Sequence, residues 1–298
     1  MLTGLYVAAR IVANPVSNAF QKQLTRHAVH PLFIIGTTHA LLTVAVLPLL
    51  LGPTLLILPT AFWWNITFCV VLAVASNVLL VQALKTTDLS ILGPINAYKA
   101  VLSLILGVFV IGEIPTAMGV AGVLLILAGS GLVVDRLPNQ PRHHAFLQFF
   151  RERGIQLRLA ALMLSATEAV FLKKALLLSS PLTTFVWWSI LGLPLAATAI
   201  LLLLRTRATR ELPLFRQHWR TFLWLALTTG VMQLTTLLTF GQLPVGYSLA
   251  LFQLSTLISV FLGHRYFREG NIRRRLLGSL VMVCGAVMIV TVGRTTGG

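Results

Sequence analysis

A chain of 298 residues with 57% hydrophobic types and only 10% charged ones has too little polar surface to cover a water-soluble core of its size, which excludes an ordinary cytosolic domain. Its formal net charge of +16 would suit a nucleic-acid binder, but the basic residues are dealt out between long apolar runs, so nucleic acid is excluded as a partner. Those runs are continuous rather than alternating, which excludes a β-barrel.

Stretches of about 20 apolar residues, enough for an α-helix to cross a bilayer, predict ten spans at about 3–22, 31–51, 62–84, 89–111, 115–134, 157–175, 182–204, 219–240, 245–264 and 274–292. The first carries Arg10, Asn14, Asn18 and Lys22 at every fourth position, one polar stripe that belongs on the inside of a bundle. The same residues interrupt what a cleavable signal peptide would keep clean, so none is expected. Pro15 in the first span and Pro94 in the fourth free backbone carbonyls and permit kinks beside a cavity. In the second span His39 reads as a hydrogen-bonded packing residue. The fourth span holds Asn96, Tyr98 and Lys99, and the fifth sets Gly122 and Gly129 on one face for close helix contact. The polar stretch Asp135–Arg158 then breaks the chain; within it Ala145–Phe150 reads either as an amphipathic surface turn or as plain linker. Glu168 lies deep in the sixth span, Trp187 and Trp188 in the seventh, Gln233 in the eighth, Gln253 and Ser255 in the ninth, and Gly278 and Gly285 in the tenth. Cys69 and Cys284 both fall inside spans and read as small buried hydrophobes. No histidine spacing reads as a metal site, and no metal or other cofactor is expected.

The chain repeats itself. Ser103, Gly107, Glu113, Gly122 and Gly129 recur with identical gaps as Ser259, Gly263, Glu269, Gly278 and Gly285. Asn18-Ala19 with Pro31 falls against Glu168-Ala169 with Pro181 at one constant offset. The expected organisation is a first five-helix unit over 1–134, a polar linker over 135–156 and a second five-helix unit over 157–298. Five is odd, so the second unit enters the membrane inverted. The fold class is therefore all-α integral membrane, with ten transmembrane helices in two inverted repeats. Eighteen of the 23 Lys and Arg residues lie in or beside the loops joining helices 1–2, 3–4, 5–6, 7–8 and 9–10. That asymmetry puts those loops in the cytoplasm and both termini outside.

The segment over 93–129, with Pro94, Gly112-Glu113, Gly122 and Gly129, resembles the end of an EamA-type repeat of the drug/metabolite transporter superfamily. Tyr247–Val290 is similar but weaker, since Arg268 precedes Glu269 and Ala250 stands where Pro94 would align. The resemblance implies a ten-helix transporter of a bacterial cytoplasmic (inner) membrane, and is nearly silent on substrate. It also implies both termini inside, where the charge count here puts them outside.

An ionisable group deep in a span is costly unless it faces a cavity or a partner. Arg10, Lys99 and Glu168 qualify by depth, while Asp88, Glu113 and Glu269 sit at helix ends in capping positions. The candidate substrate-binding residues are Arg10, Asn14, Asn18, Tyr98, Lys99, Glu168, Gln253 and Ser255, with Glu168 also the candidate proton carrier. A Lys99–Glu168 or Arg10–Glu168 pair that only locks helices together is the structural alternative. Two cations against one carboxylate favour a solute bearing a carboxylate or phosphate. The expected function is secondary transport of such a metabolite by alternating access; the chain lacks the GxxxxGK[ST] pattern that ATP drive would need. Two alternatives stay open: a proton-coupled multidrug or cation exporter led by Glu168, and a flippase for an anionic lipid or lipid carrier. No enzyme is expected, for lack of HExxH, GxSxG or paired intramembrane carboxylates. The expected partners are a small solute, membrane lipids, and a proton or counter-transported solute.

Overall fold

The computed structural model describes residues 2–51, 57–99, 101–102, 117–133, 148–243 and 245–292, and among them every regular element is a helix. In chain order these are α1 (Leu2–Arg26), α2 (Pro31–Val46), α3 (Thr60–Thr86), α4 (Leu89–Ile95), α5 (Ala117–Val133) and α6 (Arg153–Leu177). There follow α7 (Pro181–Leu203), α8 (Glu211–Gln242), α9 (Val245–Phe252), α10 (Ser255–Phe267) and α11 (Ile272–Val292). Ser103, Gly107, Gly112 and Glu113 of the repeat, and most of the polar linker, lie outside the described residues.

Local chemistry explains the helix starts. α2 and α7 both place proline in the first turn, where its missing N–H costs nothing. His30 caps α2 by accepting from the Leu32 N–H through Nδ1 (3.2 Å), and Ser180 caps α7 by accepting from the Thr183 N–H (3.1 Å). Burial lowers the His30 imidazole below its ordinary pKa, against the pull of Glu211, with Lys85 adding to the lowering. A neutral ring is what this cap requires. Pro15 lies inside α1 without interrupting it.

Among the described residues five helices, counting the short 3-10 extension of α2 to Leu50, are long and apolar enough to cross a membrane: Pro31–Leu50, α3, α6, α7 and α8. α1 fails that test because its polar stripe dilutes its apolar residues. The fourth and ninth expected spans are not continuous helices: α4 stops at Ile95 and turns through Asn96 and Ala97, and α9 stops at Phe252 and turns through Gln253 and Leu254. The expected eighth span starts earlier than predicted, with a non-helical kink at His218. Part of the linker is structural, since Phe149 is buried and Phe150 packs edge-on against Tyr98.

α1 packs along α8, α3 along α6, α2 along α7, α5 along α11, and α4 against α10. The tightest crossing is α5 with α11. A Cβ on Gly129 would lie 2.7 Å from the Gly278 carbonyl oxygen, and one on Gly285 only 2.5 Å from that of Gly122. The spaced glycines therefore serve backbone contact, as their sequence spacing predicts. Cys69 is buried as expected; Cys284 is exposed, on α11.

Candidate functional site

A cavity of about 150 Å³ lies among α1, α3, α6 and α8 and the two interrupted helices. The stripe of α1 turns Arg10, Asn14 and Asn18 into it, α6 contributes Glu168, and Lys99 and Gln253 enter from the segments beside the breaks. Tyr98 and Ser255, both candidates from sequence, stand outside the lining and are buried elsewhere. The reason is local: the turns at Asn96–Ala97 and Gln253–Leu254 interrupt the spans just before these residues.

The breaks themselves carry polar contacts. Asn96 donates through Nδ2 to Gln253 Oε1 (3.4 Å), joining the two turns directly. Arg158, which sequence reading counted among loop cations, is instead buried; it donates to Asn96 Oδ1 (3.1 Å) and to the Leu92 carbonyl (3.3 Å). Its position at the start of an apolar helix was the signal that counting loop charges concealed. Lys99 donates to the Ser165 carbonyl at 3.0 Å. Glu168 is within electrostatic reach of Lys99 and Arg10, but among the described residues it makes no direct ion pair with either.

Arg10 donates through Nε to Thr236 (2.7 Å) and lies 4.8 Å over the Phe252 ring. Its Nη1 is buried with no hydrogen-bond partner among the described residues. So are Trp188 Nε1, Gln233 Nε2 and Gln21 Oε1, all on residues that line this cavity. Glutamine amides present either sign of partner, but Arg10 and Trp188 only donate. Each orphaned donor carries an unreturned desolvation cost, and an acceptor placed in the cavity would return it. His39 borders the same space, tilted against Trp188 at 4.8 Å, with Nδ1 3.3 Å from the Ser189 carbonyl. A carbonyl only accepts, so Nδ1 carries the proton and Nε2 is the acceptor of the neutral ring. Trp187 packs on Trp63 at 4.6 Å.

A second polar cluster closes the far end of α1. Lys22, predicted as the last step of the stripe, is buried there against Glu269 Oε1 (2.7 Å) and donates to the Thr87 carbonyl (3.1 Å). Glu269 also accepts from the backbone N–H groups of Leu89 (2.9 Å) and Ser90 (2.8 Å), capping α4 from a distant turn. Asp88, expected to cap α4, instead pairs with Arg275 at 3.0 Å. Arg268 and Asn271 turn this corner at φ 56° and 57°, and the bare backbone of Gly263 leaves room for the Glu269 carboxylate. Burial pushes that carboxyl up, but the Lys22 ammonium and the hydrogen bonds from Lys22 and Ser90 outweigh it and hold its pKa below the ordinary 4.5.

Residues 8–135 match the model of the EamA-like transporter family. One solved crystal structure is similar over 98% of this chain and 99% of its own length, with a TM-score of 0.60 at 15% identity, a likeness that shows the fold alone. No curated protein matches the sequence.

Proposed function

Starting from the match of residues 8–135 to the model of the EamA-like transporter family, we propose that this chain moves a small metabolite bearing a carboxylate or phosphate across the membrane. The observation that carries the proposal is the cavity in which Arg10 Nη1 and Trp188 Nε1 are buried without acceptors, beside the further cations Lys99 and Arg158. An anionic oxygen would satisfy both donors with charge-assisted hydrogen bonds. Arg10, Asn14, Asn18, Lys99, Glu168 and Gln253, all in the cavity lining, are its proposed contacts.

The proposed mechanism is secondary, by alternating access between two inverted five-helix halves with ten spans in all. Supporting it, α2 and α7 start at Pro31 and Pro181, and Asn18 and Glu168 keep the same offset, 150 positions. α4 and α9 start at Leu89 and Val245, an offset of 156 positions, and the breaks at Asn96–Ala97 and Gln253–Leu254 fall within one position of it, at 157. Interrupted helices in corresponding places of two halves are where transporters of this kind bind their cargo. The orientation, with both termini outside a bacterial inner membrane, follows from the distribution of loop cations. Glu168, on α6 facing the same cavity, is the proposed proton carrier.

The test is uptake into proteoliposomes together with thermal unfolding of the purified protein, against panels of small carboxylates, phosphates and organic cations. Anions should stabilise the parent and be transported, and Arg10→Gln should abolish both effects while the protein stays folded. Stabilisation by cations alone, lost in Glu168→Gln, would replace this proposal with a cation exporter.

A further inference from the structure

A second cavity, of about 550 Å³, lies on the outer side of the bundle between α1 and α10. That volume falls within the roughly 300–1,000 Å³ typical of ligand pockets. Its walls are apolar: Val16, Ala19 and Phe20 follow one face of α1, and Leu262, Tyr266 and Phe267 line the α10 side. Its other end is cationic. Arg26, in the last turn of α1, lies 4.6 Å over the Phe267 ring, and His27 stands beside it, stacked on His218 at 4.0 Å.

Among the described residues no carboxylate is left over to balance the charge at this end. One turn back, Lys22 is buried against Glu269, and Arg275 occupies Asp88. The two nearby carboxylates are thus taken, and among the described residues Arg26 has no acidic partner. An exposed guanidinium resting over an aromatic ring keeps N–H donors available for a phosphate. A soluble anion would use those donors but leave the long apolar wall bare. A phosphate attached to acyl chains uses both, and basic pockets between membrane helices recognise lipid headgroups in this way.

We propose that the groove between α1 and α10 is a binding site for an anionic glycerophospholipid, with the headgroup phosphate on Arg26 and an acyl chain along Val16, Ala19, Phe20 and Leu262. This site is separate from the central cavity, with which it shares no lining residue.

The test uses the full chain purified in detergent, with thermal unfolding measured against dioleoyl phosphatidylglycerol, dioleoyl phosphatidylcholine and glycerol 3-phosphate. Phosphatidylglycerol is expected to raise the midpoint by about 3 °C, with little change from the other two. Arg26→Gln removes the charge, and Ala19→Trp fills the groove without changing charge; both should lose most of the shift. Arg10→Gln should keep it. The proposal is overturned by equal shifts from both lipids, by no shift from phosphatidylglycerol, or by a shift that survives Arg26→Gln. A matching shift from glycerol 3-phosphate would make it a plain phosphate site. Loss of the lipid shift in Arg10→Gln would move the lipid into the central cavity and also overturn it.

Discussion

Arg10 and Lys22 lie on one face of α1, about 18 Å apart along its axis, yet the protein treats the two cations differently. Lys22 is surrounded by acceptors: a carboxylate at 2.7 Å, a backbone carbonyl at 3.1 Å and a second carboxylate at 3.8 Å. Arg10 uses its Nε on Thr236 and leaves Nη1 buried with no partner among the described residues. The two ends of one stripe thus serve opposite purposes. Where every charge is answered, the residues hold α1, α4 and the α10–α11 corner together; where charges are left unanswered, the fold has reserved them for something it does not contain.

The comparison predicts opposite outcomes for superficially similar substitutions. Glu269→Ala should have the largest effect, because it strands buried Lys22 and uncaps α4; breaking a buried pair this way costs about 3–5 kcal/mol, read as a large fall in the unfolding midpoint in detergent. Arg10→Gln should leave that midpoint within about 1 kcal/mol of the parent but weaken anion binding at least about tenfold, the effect of losing one charged hydrogen bond. If Arg10→Gln destabilises as much as Glu269→Ala, the distinction between the two sites fails.

Acid should separate the two regions as well. The Glu269 pKa is depressed in the folded state, so its contribution is full above the ordinary carboxylate value of 4.5 and is lost as pH falls through the lower folded value. The unfolding midpoint should therefore decline below about pH 4.5 in the parent, and the decline should be shallower in Glu269→Gln. The smallest effect is expected for Trp188→Phe. It removes an orphaned donor, so stability should stay within about 0.5 kcal/mol of the parent or rise slightly, while the affinity for anions falls by a few-fold.

Much of this was legible before any coordinates. The four-residue spacing of Arg10, Asn14, Asn18 and Lys22 identifies the inward face of α1, because a helix returns to one side at that interval. Glycine spacing likewise predicts a close-contact face on each of α5 and α11, though not that the two faces meet each other. The breaks at Asn96–Ala97 and Gln253–Leu254 were harder to see, since neither contains glycine or proline; Pro94 hints at the first and nothing marks the second. Treating those segments as continuous helices is what misplaced Tyr98 and Ser255. Arg158 was hidden by a rule that is right for most of its neighbours, that a cation near a helix end belongs to the loop. Glu269 was read as a local cap, but it caps a helix about 180 positions earlier in the chain, a pairing that only the tertiary fold creates.

The polar face of α1 also bears on how the protein is made. α1 is not among the helices apolar enough to enter a membrane on composition alone, and its hydrogen-bonded partner residues on α8 come late: Thr229 follows Ser17 by 212 positions, and Thr236 follows Arg10 by 226. At translation rates of about 5–20 residues per second, those partners emerge roughly 10–45 s after α1. For that interval the polar stripe of α1 is without the side-chain partners on α8 that it has in the folded protein.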